Sequence, residues 1–288
     1  FSATISAGSN VAYTWNFGDG TFGSGANASH TYDNAGNFTA IVTATNGSGS
    51  VNTSTGVVIT NQPPVANAGA NQTVSVGATV NLNGTGSSDS DNHTPLTYGW
   101  TQSGGPAVTL SNSASSTPSF TAPAAPAVLT FALVVTDSEG LASSPDSVVI
   151  TVNDVAITGL AAQSSSPTRV TDATFFTATI SAGSNVVYAW DFGDGNFGSG
   201  ASASHTYASS GFYNVVVTAT NGEGLSTANT SVLVTNSAPV ANAGADQSVD
   251  VNSTVQLDGS ASSDPDGHTP LTYGWAQSGG PAVTLSSN

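Results

Sequence analysis

Residues 1–113 return as residues 176–288 without a gap: Trp15 corresponds to Trp190, His30 to His205 and Trp100 to Trp275, each pair 175 residues apart. At 74 of these 113 positions the residue is identical. A repeat of constant register constrains the fold more than any single motif, because each copy must form the same elements and bury the same side chains.

A 175-residue period is too long for one strand-rich unit, and its interior is heterogeneous. It divides into two kinds of module. The first kind ends at "VTATNGSGSVNTSTGVVITN" and again at "VTATNGEGLSTANTSVLVTN". The second kind opens at the Pro-rich "NQPPVANAG" and again at "NSAPVANAG". The boundaries then fall at 1–61, 62–153, 154–236 and 237–288. Two whole periods would need 62 further residues, the counterparts of 114–175. The first module therefore lacks the opening strand written "VAITGLAAQSSSPTRVTDATF" in its second copy, and the last module stops halfway. This pattern reads as a window on a longer array; the rival reading has neighbouring molecules supply the missing strands by strand addition.

Within each module, apolar residues recur at every second position. Val11, Tyr13, Trp15 and Phe17 share one strand face, as do Phe38, Ala40, Val42 and Ala44, with Tyr213, Val215, Val217 and Ala219 as the second-copy set. Leu96, Tyr98 and Trp100 repeat the arrangement, and "LTFALVVTD" at 129–137 reads as a buried central strand. Short strands separated by Gly, Pro, Asn and Asp predict an all-β fold of tandem immunoglobulin-like β-sandwiches, about seven strands each, in an extended array joined by short stiff linkers.

Composition narrows the partners. Only 6% of residues are charged, the net charge is -16, and Arg169 is the single basic residue apart from four His. Nucleic acid and anionic membrane surfaces are recognised by clustered Lys and Arg, so both are excluded as expected partners. Divalent cations remain compatible. With no Cys there are no disulfides, thiolate metal sites or Cys nucleophiles, and with no Lys there are no Lys–Asn isopeptide staples. No apolar run approaches the about 18 residues of a membrane span, and no signal peptide is recognisable ahead of Phe1, which reads as a mature product or fragment.

The stretch "YAWDFGDGNFGSGASASHTYASSGFYNVVVTATN" resembles a PKD domain, the immunoglobulin-like repeat of polycystin. The resemblance is carried by Trp190 to Gly195, by His205 to Tyr207, by Gly211 and by the strand "VVVTATN", and it appears twice. The stretch "PVANAGADQSVDVNSTVQLDGSASSDPDGHTPLTYGW" resembles the PKD-like repeats of large bacterial and archaeal surface proteins. The resemblance implies a PKD domain lacking its first strand at 1–61, a PKD-like domain at 62–153, a complete PKD domain at 154–236 and half of a PKD-like domain at 237–288. It also implies an extracellular spacer, adhesive unit or accessory to secreted hydrolases, with no chemistry of its own. In the family the loop before "LTYGW" resembles D-P-D-G-D, whereas here His93 or His268 stands in place of the last acid.

The candidate sites are few. Asp19 and Asp194 lie in "GDG", which suits a tight hairpin with an Asp accepting from nearby N–H groups. His30 and His205 read as hydrogen-bonded corners. No paired acids with divergent environments and no G-x-S-x-G elbow appear, so no catalytic residue and no enzyme is expected. The loop acids differ: Asp89 and Asp91, and Asp264 and Asp266, offer closely spaced hard oxygens, and Asp137 and Glu139 in "TDSEG" approach the same end of the sandwich. Such a set suits structural Ca²⁺, which takes about six to eight oxygens in loose geometry; a solvated Ser/Asp turn is the alternative. All four Trp fall on faces assigned to cores, which disfavours sugar stacking. Seven N-x-S/T triplets, at Asn27, Asn37, Asn46, Asn52, Asn71, Asn83 and Asn92, have no triplet at the equivalent second-copy positions.

These readings converge on a structural or adhesive repeat region of a cell-surface protein, a stalk or the strand of a fibre. Its expected partners are other copies or neighbouring repeats, or a surface protein or polysaccharide. An accessory module of a secreted hydrolase and a surface-layer subunit are the alternatives.

Overall fold

The computed structural model describes residues 1–286, so the last two residues of the 237–288 segment lie outside the described residues. Every regular element among the described residues is a strand. The chain separates into two compact units, Phe1–Val152 and Asn153–Asn288.

The first unit begins with β1 (Ala12–Asn16), β2 (Phe22–Ser24), β3 (Gly36–Asn46) and β4 (Gly49–Ile59), one antiparallel sheet in the order β2-β1-β3-β4. The long β3–β4 hairpin closes at Asn46↔Gly49 through the two-residue turn Gly47–Ser48, with Ser48 N donating to Asn46 Oδ1 at 2.9 Å and the positive φ taken by Gly49. Trp15, Phe17 and Val42 form a small buried cluster, with Tyr13, Ala3, Ala28 and Tyr32 half-buried against it.

The rest of this unit contains β5 (Gln72–Ser75), β6 (Thr79–Asn81), β7 (Thr97–Gly104), β8 (Ser119–Thr121), β9 (Ala127–Thr136) and β10 (Asp146–Asn153). They form two sheets, β5-β10-β9-β7 and β6-β8. β9 is central, and Leu129, Phe131, Leu133 and Val135 on one face are fully buried against Trp100, Val148, Ile150, Leu82 and Val80. The intervening residues of β9 are only partly covered, so the period of two survives even in the middle of the sheet.

The second unit holds the complete version of the first module. β11 (Ala161–Ser164), β13 (Ala173–Thr179) and β16 (Ser202–Thr206) make one sheet, in the order β11-β13-β16. β12 (Thr168–Arg169), β14 (Val187–Asp191), β15 (Phe197–Ser199), β17 (Gly211–Asn221) and β18 (Gly224–Thr235) make the other, in the order β12-β18-β17-β14-β15. Trp190, Phe192, Val215, Val217 and Val232 of one sheet pack against Phe176 and Ala178 of the other. This is an immunoglobulin-like sandwich, as the alternation predicts.

Residues 237–286 keep the loop contacts of their first copy but form no strand. The bridge Val240↔Ser263 repeats Val65↔Ser88. Gln277 holds Gly279 and Pro281, as Gln102 holds Gly104 and Pro106. Trp275, expected in a core, is half-exposed, whereas Trp100 is buried.

Candidate metal centre

The acid loop of the first unit is organised by its own backbone. Asp89 Oδ1 accepts from Asp91 N at 2.7 Å and from His93 N at 3.5 Å, the side-chain-to-backbone bond that Asp makes readily in turns. Asp91 Oδ2 accepts from Gln62 N at 2.5 Å, which ties the loop to the segment leaving β4. Carboxylate and imidazole atoms of Asp89, Asp91 and His93 lie within 4.8 Å of one another. Asp89 Oδ2 is buried with no hydrogen-bond partner, the exception among buried side-chain polar atoms of the described residues. Such an orphan costs free energy unless something fills its coordination.

Four further residues border this triad. Asn61 donates through Nδ2 to Asp137 Oδ2 at 2.7 Å and turns its Oδ1 to His93 Nδ1 at 2.8 Å. The other ring nitrogen, Nε2, faces Asp33 O at 3.3 Å and Glu139 Oε1 at 3.7 Å. His93 is thus engaged with oxygen on both sides, which leaves Asp89 and Asp91 as the carboxylates gathered in the loop, with Glu139 beside His93. Asp137 is buried, and its Oδ1 accepts from Glu139 N at 2.9 Å and Leu141 N at 2.8 Å. Burial alone would raise the Asp137 pKa, but the bonds from Asn61, Leu141, Glu139 and Gly140 outweigh it and hold the carboxyl below its ordinary value. With both oxygens occupied, Asp137 organises the "TDSEG" turn beside the triad.

The second copy reproduces the inner part. Asp264, Asp266 and His268 cluster within the same 4.8 Å, Asp266 N donates to Asp264 Oδ1 at 2.8 Å, and Ser237 N donates to Asp266 Oδ2. Sequence reasoning had placed the acids in one loop. Recruitment of Asn61 and Ser237 from the preceding segment was not visible in it, because the contacts span 29 to 76 residues.

The "GDG" turns show a different arrangement. Asp19 Oδ1 accepts from Thr21 N at 2.9 Å and Thr21 Oγ1 at 2.6 Å, while Oδ2 meets His30 Nε2 at 2.5 Å. In the second copy Asp194 takes Asn196 and meets His205 Nε2 at 2.7 Å. The turn and the corner, read separately from sequence, are one unit. Each ring stacks on the Phe that opens the turn, His30 on Phe17 at 4.3 Å and His205 on Phe192 at 4.4 Å. Thr21 Oγ1 and Asp19 approach the same nitrogen of His30. A nucleophile relay needs opposite nitrogens for base and orienter, so the geometry is that of a buckle. Gly18 and Gly193 allow it: both have positive φ, and a Cβ there would stand 2.6 Å from Thr39 O or 2.5 Å from Asn214 O.

Two family models account for most of the chain. One, described as PKD domain, matches residues 1–59 and 159–234; the other, described as K319L-like, PKD domain, matches residues 68–152 and 243–288. Among solved structures, the PKD domain of the KIAA 1837 protein in solution is 28% identical, covering 32% of this chain and 89% of its own, with a TM-score of 0.27. The four N-terminal Ig domains of Dscam1 isoform 1.9 are 12% identical, covering 78% of this chain and 65% of theirs, with a TM-score of 0.34. The D00-D0 domain of intimin is 17% identical, covering 60% of this chain and all of its own, with a TM-score of 0.28. No curated protein sequence matches the chain.

Proposed function

The chain belongs to the PKD domain family, and from that premise we propose that it is a structural, adhesive repeat region of an extracellular surface protein, working as a stalk or as the strand of a fibre. The observation that carries this reading is the gapless 175-residue repetition of immunoglobulin-like modules, with the side chains shared by the two copies engaged in cores and turns. The Asp–His pairs fasten the Gly-Asp-Gly turns, and the hydroxyls of Tyr32 and Tyr207 donate to the carbonyls of Phe17 and Phe192. No helix among the described residues is long and apolar enough to cross a membrane. The single Arg169 also suits exposure to tryptic proteases.

The test is electron microscopy of the intact assembly. A periodic fibre or a projecting stalk supports the proposal; a few repeats beside a catalytic domain moves the chain to the accessory-module reading, and a two-dimensional lattice to a surface-layer subunit.

The acid loop enters this function as a Ca²⁺ site that stiffens the module. Asp89 and Asp91 are the ligands supported most directly, by the orphaned Asp89 Oδ2 and the 4.8 Å cluster; Glu139 borders them, and Asp137 holds the turn. Asp264 and Asp266 form the second-copy version. Hard carboxylate oxygens in a flexible loop fit Ca²⁺ better than a soft transition metal. Millimolar Ca²⁺ raises the Tm of the chain, EDTA reverses the shift, and Asp89→Asn combined with Asp264→Asn abolishes the response. An unchanged Tm across these conditions removes the metal from the account.

A further inference from the structure

One N-x-S/T motif moves between the two copies of the first module yet keeps its face. Asn229, Thr230 and Ser231 form a triplet in β18, and Asn52, Thr53 and Ser54 form one in β4, two residues earlier in the shared register. A shift of two residues returns a strand side chain to the same face. Asn229 stands opposite Val216 and Asn52 opposite Thr43, and both Asn are exposed, as are Ser231 and Ser54 beside them. The Asn229 amide nitrogen reaches only Asn214 Oδ1, at 3.5 Å. Other triplets are closed on themselves: Asn83 Oδ1 accepts from both Thr85 N and Thr85 Oγ1, and Asn46 accepts from Ser48 N and donates to Ser9 O.

The strand that carries Asn229 has a free edge within the complete module. β12 covers β18 only at Val234 and Thr235, while Ser231 O accepts from Ser164 Oγ at 3.3 Å and Leu233 N donates to Ser166 Oγ at 2.9 Å. Backbone groups alternate sides along a strand, so Leu225, Thr227 and Asn229 turn their N–H and C=O to this same side, where no strand among the described residues pairs with them. Leu225, and Phe212 on the adjacent strand, are exposed apolar side chains. Sheets usually blunt such an edge with Lys or Pro. This chain has no Lys, and Gly224–Thr235 holds neither Pro nor a charged residue.

We propose that Asn229 and Asn52 are acceptors for an N-linked oligosaccharide, and that the saccharide on Asn229 shields the free edge of β18. The chemistry is a group transfer from a lipid pyrophosphate-linked oligosaccharide. The Asn Nδ2 takes the anomeric carbon, the C1–O bond to the pyrophosphate breaks with its electron pair on the departing oxygen, and one amide proton is released. The hydroxyl at the third position marks the acceptor, and an extended strand holds it on the same face as the amide. A bulky, hydrated, uncharged group at Asn229 does what Lys does on other edges: it bars a second strand and keeps a chain with 6% charged residues soluble. The proposal rests on the extracellular reading, because this transfer acts on secreted chains.

The experiment maps the chain recovered from the surface of its source cells, by chymotryptic digestion and electron-transfer mass spectrometry. Recovery in that fraction tests the extracellular reading, and the saccharide tests the acceptor assignment. Peptides containing Asn52 and Asn229 are expected to carry a saccharide mass on the Asn. Expressed in the same cells, Asn229→Gln and Ser231→Ala should each lose the mass at position 229 and keep it at Asn52, whereas Ser231→Thr should retain both. Asn214→Gln, on the same face but outside any triplet, should change neither. The Asn229→Gln chain should also sediment faster with rising concentration than the unsubstituted chain, as its bare edges pair. An unmodified Asn52 or Asn229 in the surface-recovered chain, a saccharide that persists at position 229 in Ser231→Ala, or equal sedimentation of the two chains would each overturn the proposal; a chain found only inside the cells overturns the reading on which it rests.

Discussion

Residues 1–61 and 154–236 carry the same signatures, yet they bury them differently. Phe1 is 37% exposed and its counterpart Phe176 only 1%. Tyr32 is half-buried and Tyr207 fully buried, although both donate to the carbonyl of the Phe that opens the turn, at 2.9 Å and 3.0 Å. Trp15 and Trp190 are buried alike, because Trp15 is covered by its own sheet and by Phe1 and Phe17. The strand pattern thus decides which side chains point inward, and the opposing sheet decides whether that direction amounts to burial.

The largest test of this difference is truncation of matched aromatics. Phe176→Ala should destabilise its module by about 3–5 kcal/mol, the range for deleting a buried Phe, whereas Phe1→Ala should cost about 1 kcal/mol or less. Urea unfolding followed separately by the two modules measures both, and equal losses would break the comparison. The turn glycines should behave alike instead. Gly18→Ala and Gly193→Ala meet the same close carbonyl at the same positive φ, so each should cost more than about 1 kcal/mol in its own module.

Removing a hydroxyl is a finer probe. Tyr207→Phe orphans the buried Phe192 carbonyl and should cost about 1–3 kcal/mol, against about 1 kcal/mol or less for Tyr32→Phe, where water can reach the site. Thermal unfolding of the two variants checks the order.

The smallest effect is in acid. Asp194 is held below its ordinary pKa: burial pushes it up, and the bonds from His205 and Asn196 more than offset that. Asp154 is lowered by bonds from Asn185 and Ser184. A carboxyl with a depressed folded pKa contributes stability that is present above its unfolded value near about 4 and is lost as pH falls through the folded value. Unfolding midpoints should therefore hold from neutral pH to about 5 and decline below about 4. Asp194→Asn should flatten that decline in the second unit.

Much of the fold was legible because its signals are local. Alternation at Tyr13, Trp15 and Phe17 marks a core face, the apolar run from Leu129 marks a buried strand, and Gly-Asp-Gly marks a turn within a few residues. The loop acids were legible as a group for the same reason, since Asp89 and Asp91 are two residues apart. Asp19 with His30, and Asn61 with Asp137 and His93, were not, because sequence periodicity carries no information about which loops meet at one end of a sandwich.

From the sequence came the repeat, the strand faces, the turn chemistry and the exclusion of thiol, Lys and basic-patch chemistry, all consequences of residue type and short spacing. The tertiary structure decided which faces find a partner sheet, joined Asp and His into a buckle, and left Asp89 Oδ2 unmatched. Those outcomes depend on strands and loops separated by tens of residues, and only their packing in space sets whether an inward-facing side chain is buried.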